Sequence, residues 1–216
     1  MCSVVRKIVE LVPEKQLQRD LEKYRQRAIK LGASDAKIIT MDKVVIDERV
    51  LAKCTYPKCP GYGTNANCPP YAMSLDQVRK VIHNFRYAIF MKLEVPPEHT
   101  AGREAVEKKL MDSYRRKLSE IAAKVEAEAF YDGYYLALAF GTGNCKALFC
   151  PETECIALIP GKSCRFPLKA RSTMEAVGMD AYRMATKVGW DIYPIGEATL
   201  PSEIPCGLRL GIVFIC

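Results

Sequence analysis

Residues 134–167 read YYLALAFGTGNCKALFCPETECIALIPGKSCRFP. An apolar, strand-like run from Tyr134 to Phe140 gives way at GTGN to a loop holding Cys145, Cys150, Cys155 and Cys164. The last three of these follow the pattern Cys-x4-Cys-x8-Cys, which is also the spacing of Cys54, Cys59 and Cys68. Each triplet comes directly or nearly directly after a strand-like run and has proline just beyond its last cysteine. A capping-box pattern follows each, Ser74-Leu-Asp-Gln or Ser172-Thr-Met-Glu, and opens a helix, the second running to about Val188. The reading is of two pseudo-repeated units, each strand, cysteine loop, helix and strand, around a mixed sheet, with coincidence of spacing as the alternative. The fold class is α/β, with α+β as its alternative.

Outward from this pair, Leu17, Leu21, Tyr24, Ala28 and Leu31 recur at helical spacing before Gly32 and predict an amphipathic first helix. The β-branched runs 37–42 and 44–53 predict strands that lead into Cys54. Leu75, Val78, Ile82 and Phe85 mark a short helix, Tyr87–Val95 a buried strand, and the stripe from Val106 to Val125 a long helix over about residues 102–130. Residues 192–195 and 208–215 supply the last strand candidates. No linker composition divides the chain, so residues 1–216 form one metal-binding domain: a helical segment 1–34, a first cysteine half 35–97 and a second 98–216.

With 216 residues, 49% of them hydrophobic and 26% charged, the chain can bury a core without disulfides, and its ten cysteines are too sparse for a secreted disulfide scaffold. The first residues carry no apolar run of signal-peptide length and no window approaches a membrane span, so the expected setting is cytoplasmic and reducing. The formal charge of +7 is spread among acids, as in GREAVEKKLMDSYRRKLSE at 102–120, which reads as a solvated helix face and argues against nucleic acid.

Thiols in a reducing compartment are ligands or nucleophiles. Structural zinc usually takes closely paired Cys-x2-Cys knuckles, whereas iron-sulfur clusters are wider than one ion and tolerate longer, uneven spacings; proline also follows Cys59, Cys68 and Cys150 directly. One or two four-iron four-sulfur clusters are therefore expected, with zinc as the alternative. Cys145, Cys150, Cys155 and Cys164 make a complete set of four thiolates, while Cys54, Cys59 and Cys68 lack a fourth, since Arg49 stands where the repeat would place it. Cys206, between two loop residues Pro205 and Gly207, is the candidate to complete the first set; terminal Cys2 and Cys216 read as free thiols. Lys162, Arg165 and Arg171 are the candidate cofactor-binding cations, offsetting an anionic cluster or recognising an anionic substrate. Glu175 reads as a capping-box partner.

The segments VLAKCTYPKCPGYGTNANCPPYAMSLDQVRKVI (50–82) and GNCKALFCPETECIALIPGKSCRFPLKARSTMEAVGMDAY (143–182) resemble the two signature blocks of a cysteine-rich family of unknown function, described as predicted metal-binding proteins and found mainly in anaerobic bacteria and archaea. The resemblance spans roughly residues 35–190 and is most specific at Cys68-Pro69-Pro70-Tyr71 and around Cys164-Arg165 and Ala170-Arg171; Ser172 departs from the proline usual after that arginine. It implies metal ligation by both cysteine blocks and an anaerobic setting, and no particular reaction. The role expected is electron transfer with a partner protein. The alternatives are an enzyme acting on a small anionic substrate at an open iron of the first set, by reduction or sulfur transfer, and a zinc-stapled interaction domain.

Overall fold

A computed structural model describes residues 5–216; Cys2 lies outside them. Its sheet has four strands, β1 (Asp35–Thr40), β2 (Tyr87–Val95), β3 (Leu138–Phe140) and β4 (Gly207–Phe214), in the order β1-β2-β4-β3. Every neighbouring pair is antiparallel, so the mixture of helices and strands takes the α+β form, and the expectation of a mixed sheet is corrected. The two central strands bury both faces, which is why each reads as a near-continuous apolar run rather than an alternation.

The two-residue period of a strand divides these runs between two cores. Ile89, Met91, Leu93 and Val213 face helices α1 (Glu14–Lys30) and α6 (Asp112–Tyr131). Phe90, Ile212, Phe214 and Phe140 face the other way, onto α3 (Leu75–His83) and α8 (Ala181–Lys187) and the methionines Met174, Met179 and Met184. Short helices α2 (Glu48–Thr55), α4 (Pro97–Thr100), α5 (Gly102–Glu107) and α7 (Cys145–Phe149) complete the eight among the described residues. None of them is long and apolar enough to cross a membrane.

Several local expectations change. Residues 44–53 do not form a strand: Asp47 accepts the backbone N–H of Arg49 at 2.9 Å and caps α2, and Ile46 alone keeps a bridge, to Met179. The long helix breaks between α5 and α6, where Lys109 takes a φ of 52°. Ser172 does not cap a helix; Thr173 accepts from the Ala176 N–H, and a single 3₁₀ turn follows over Glu175–Val177. Gly178 ends that turn at φ 80°, a region closed to most side chains, and α8 begins afresh under its own cap, Asp180. Residues 192–195 form no strand, and only the last three residues of 134–140 join the sheet.

A buried carboxylate fixes α1 against the chain ends of the sheet. Asp20 accepts from Arg6 at 2.5 Å, Gln16 at 2.8 Å and Tyr134 at 2.8 Å. Burial alone would raise its pKa, but the hydrogen bonds from Arg6, Tyr134 and Gln16 together hold it below the ordinary carboxylate value. A depressed folded-state pKa contributes stability above the unfolded value of about 3.9 and loses it as pH falls toward the folded one. Asp20→Asn is expected to cost about 2 kcal/mol at neutral pH and to lose less of its remaining stability than the parent below about pH 4, as measured by denaturant titration across pH.

Candidate metal centre

Each cysteine loop leaves the end of a short helix. Cys54 lies in the last turn of α2, and Cys150 directly follows α7. The second loop leaves the end of β3 and returns beside it: the Gly141 N–H donates to the Ser172 carbonyl at 2.9 Å, and Ser119 Oγ donates to the Thr142 carbonyl at 3.0 Å. Its closing arm is held by Arg171, which forks onto the buried Glu126 of α6. The first loop closes on itself through the Gly63 N–H, which donates to the Pro69 carbonyl at 2.7 Å.

The two loops then pack against each other. Gly61 lies so close to Asn144 that a Cβ there would stand 2.8 Å from the side-chain amide nitrogen and push that amide aside. Asn65 is fully buried; its amide donates to Asn144 Oδ1 at 3.0 Å, and its own oxygen accepts the Asn67 N–H at 3.0 Å and the Cys145 thiol at 3.4 Å. Asn67 donates to Cys145 Sγ at 3.4 Å and accepts from Ser172 Oγ at 3.3 Å.

All four second-loop cysteines, Cys145, Cys150, Cys155 and Cys164, line one cavity of about 230 Å³, with Asn65 and Asn67 of the first loop forming part of its wall. Burial, followed by the neighbouring Cys68, Cys155 and Cys164, pushes the Cys145 thiol up to about 11, against the opposing hydrogen bond from Asn67. Among the described residues no group of three or more cysteine, histidine or carboxylate side chains is placed to hold a single metal ion.

Cys54 and Cys59 line a separate, broader groove of about 900 Å³, together with Arg49, Lys53, Glu175 and Tyr182. Cys68 is 8% exposed and sits beneath Gly61, between this groove and Cys145. Burial raises both the Cys54 and the Cys68 thiol; Cys59 raises each further, and Cys68 and Glu175 also act on Cys54. Arg49, at the place corresponding to Cys145, is ion-paired with Asp47 at 2.6 Å on the rim.

Cys206 is not with either set. Its thiol is raised by burial and by Glu94, with Lys92 and Asp191 also acting on it, and no other cysteine acts on it, whereas Cys59 acts on both Cys54 and Cys68. Arg165 donates to the Glu154 carbonyl at 2.6 Å and to Thr153 at 3.2 Å, stapling the second loop from within. Arg171 is committed to Glu126, and Lys162 is exposed on the loop surface. Asn65 and Asn67 carry little signal in the sequence, two amides among the prolines and cysteines of the first loop, GTNANCPP.

A family model described as Predicted metal-binding protein (DUF2284) matches residues 37–206, which takes in both cysteine loops. No curated protein and no solved structure matches the chain.

Proposed function

We propose, on the premise that the chain belongs to this family of predicted metal-binding proteins, that it is an iron-sulfur protein with a four-iron four-sulfur cluster held by Cys145, Cys150, Cys155 and Cys164. The observation that supports this reading is the lining of one small cavity by all four thiols. Four thiols separated by four, four and eight residues suit a polynuclear cluster, which is wider than one ion, better than they suit the closely paired knuckles of structural zinc. When bound, the group supplies one-electron redox chemistry.

The surrounding residues would tune it. Asn67 donates to Cys145 Sγ, and Lys146 lines the same cavity, so an amide dipole and a cation oppose the negative charge of the thiolates. Electron exchange with a partner protein in a reducing, cytoplasmic setting follows from this reading. Cys54, Cys59 and Cys68 are proposed as the second metal site. A second role is favoured there by one observation: Cys54 and Cys59 line a wide groove, as a substrate site for an open iron would require.

Anaerobically purified protein is expected to contain iron and acid-labile sulfide in near-equal amounts and to give a paramagnetic signal on reduction. Zinc without sulfide would overturn the cluster reading in favour of the stapled domain.

A further inference from the structure

A polar cavity of about 190 Å³ adjoins the groove of the first cysteine loop. Arg209 enters it from β4, Arg115 from the start of α6, Tyr182 from α8, and Thr142 and Tyr193 from the flanking segments. Glu175, Ala181, Tyr182 and Ile195 line both this cavity and the groove that holds Cys54 and Cys59, so the two spaces share a wall.

Arg209 is the unusual member. It lies in a strand whose other residues, Gly207 to Phe214, are all buried. Its guanidinium makes one side-chain hydrogen bond among the described residues, from Nη2 to Thr100 Oγ1 at 3.2 Å, and its buried Nε has no partner. No carboxylate of the described residues comes within the 4.0 Å of an ion pair. Burial first, and then the like charge of Arg115, pull its pKa down to about 10, opposed by Glu175, which lines the same cavity without ion-pairing to it, and by Tyr182. Arg115 has a partner, Asp112 at 2.9 Å, so that pair is close to neutral and the charge of Arg209 is left over.

A largely buried cation with no ion-paired carboxylate is costly, and the N–H of its buried Nε goes unused. Such a group persists where an anion completes it, and the nearby hydroxyls of Thr142, Tyr182 and Tyr193 add donors that suit oxygen acceptors. We propose that this cavity binds a small oxyanion, a carboxylate or an inorganic oxyanion of sulfur or phosphorus, through Arg209 with Arg115. The cavity is of the size of such a molecule, and its shared wall places the bound anion beside the groove that holds Cys54 and Cys59. Only that last point rests on the proposed metal site; the anion site stands on Arg209 itself.

The test uses the protein as purified, in chloride buffer at matched ionic strength, titrated with sodium malonate, sulfate or phosphate and followed by calorimetry and thermal melting. At least one probe is expected to bind saturably and to raise the melting temperature. Malonate as the best ligand assigns an organic carboxylate, and sulfate or phosphate an inorganic oxyanion. Arg209→Leu is expected to abolish the effect, and Arg115→Leu to weaken binding roughly tenfold to a hundredfold, the loss of a charge-assisted hydrogen bond. Failure of all three probes to bind, or undiminished binding by Arg209→Leu, overturns the proposal. If Arg209→Leu does not fold, unchanged affinity in both Arg115→Leu and Tyr182→Phe overturns it instead. Iron and sulfide measured in the same samples separate the two readings: Arg209-dependent binding by a protein without sulfide leaves the anion site standing and removes the cluster.

Discussion

Protein carrying Cys145→Ala and Cys155→Ala together is expected to lose about half of its iron and sulfide, the whole content of the second loop, while the first loop keeps its share. The magnitude follows from how the loop is built. Between Thr142 and Ser172 the chain has only one short helix, α7, and one 3₁₀ turn, Ile156–Leu158, and of its side chains Leu148 alone is buried apolar surface. With so little core of its own, this excursion would draw much of its order from the proposed ligation, because metal binding free energy in such a segment is folding free energy. Two alanines remove half of the thiols that line the cavity. Hydrogen exchange of the amides in 145–165 is expected to rise sharply in the double variant, while those of β2 and β4 stay protected. The reciprocal variant, Cys54→Ala with Cys59→Ala, is expected to leave the second-loop signal intact. Retention of all iron by the first double variant would remove the second loop as a metal site.

The parts of this arrangement that local chemistry dictates were legible in the sequence. Leu17, Leu21, Tyr24 and Ala28 share a helix face by spacing alone, and all four are buried on the sheet. The apolar runs of β2 and β4 stand out because central strands bury both faces. The cysteines of the second loop sit within twenty residues of one another, so their meeting needs no long-range information. Elsewhere local signals competed. Val44, Val45 and Ile46 favour a strand by propensity, but Asp47 offers a cap at the next residue and α2 starts there instead. Strand direction depends on which connections cross the sheet, and no spacing in the chain records that β4, the last strand, lies between β2 and β3. Cys206 illustrates the same limit: its loop composition matched that of a ligand, yet the end of the chain carries it to Lys92 and Glu94.

The contact that defines the site, Asn65 to Asn144, joins residues 79 apart, and neither amide has a periodicity or a partner motif to expose it. Its importance can be measured. Asn65→Ala is expected to lower the melting temperature by roughly 5–10 °C, since it leaves the Asn67 N–H and Asn144 Oδ1 without their buried partner at a cost of about 2–3 kcal/mol. The same substitution removes the acceptor of the Asn67 N–H and with it the support of Asn67, whose side-chain amide donates to the Cys145 sulfur. Loss of such outer partners typically weakens metal binding about tenfold to a hundredfold, so iron release from the second loop to a chelator is expected to quicken on that scale. Asn67→Ala separates the two effects: it deletes the donor to sulfur but leaves Asn65 bridging to Asn144, so it is expected to speed iron release with a smaller fall in melting temperature. A variant at Asn65 that melts with the parent and releases iron at the parent rate would show that the two loops are independent, and that the cavity owes nothing to the first of them.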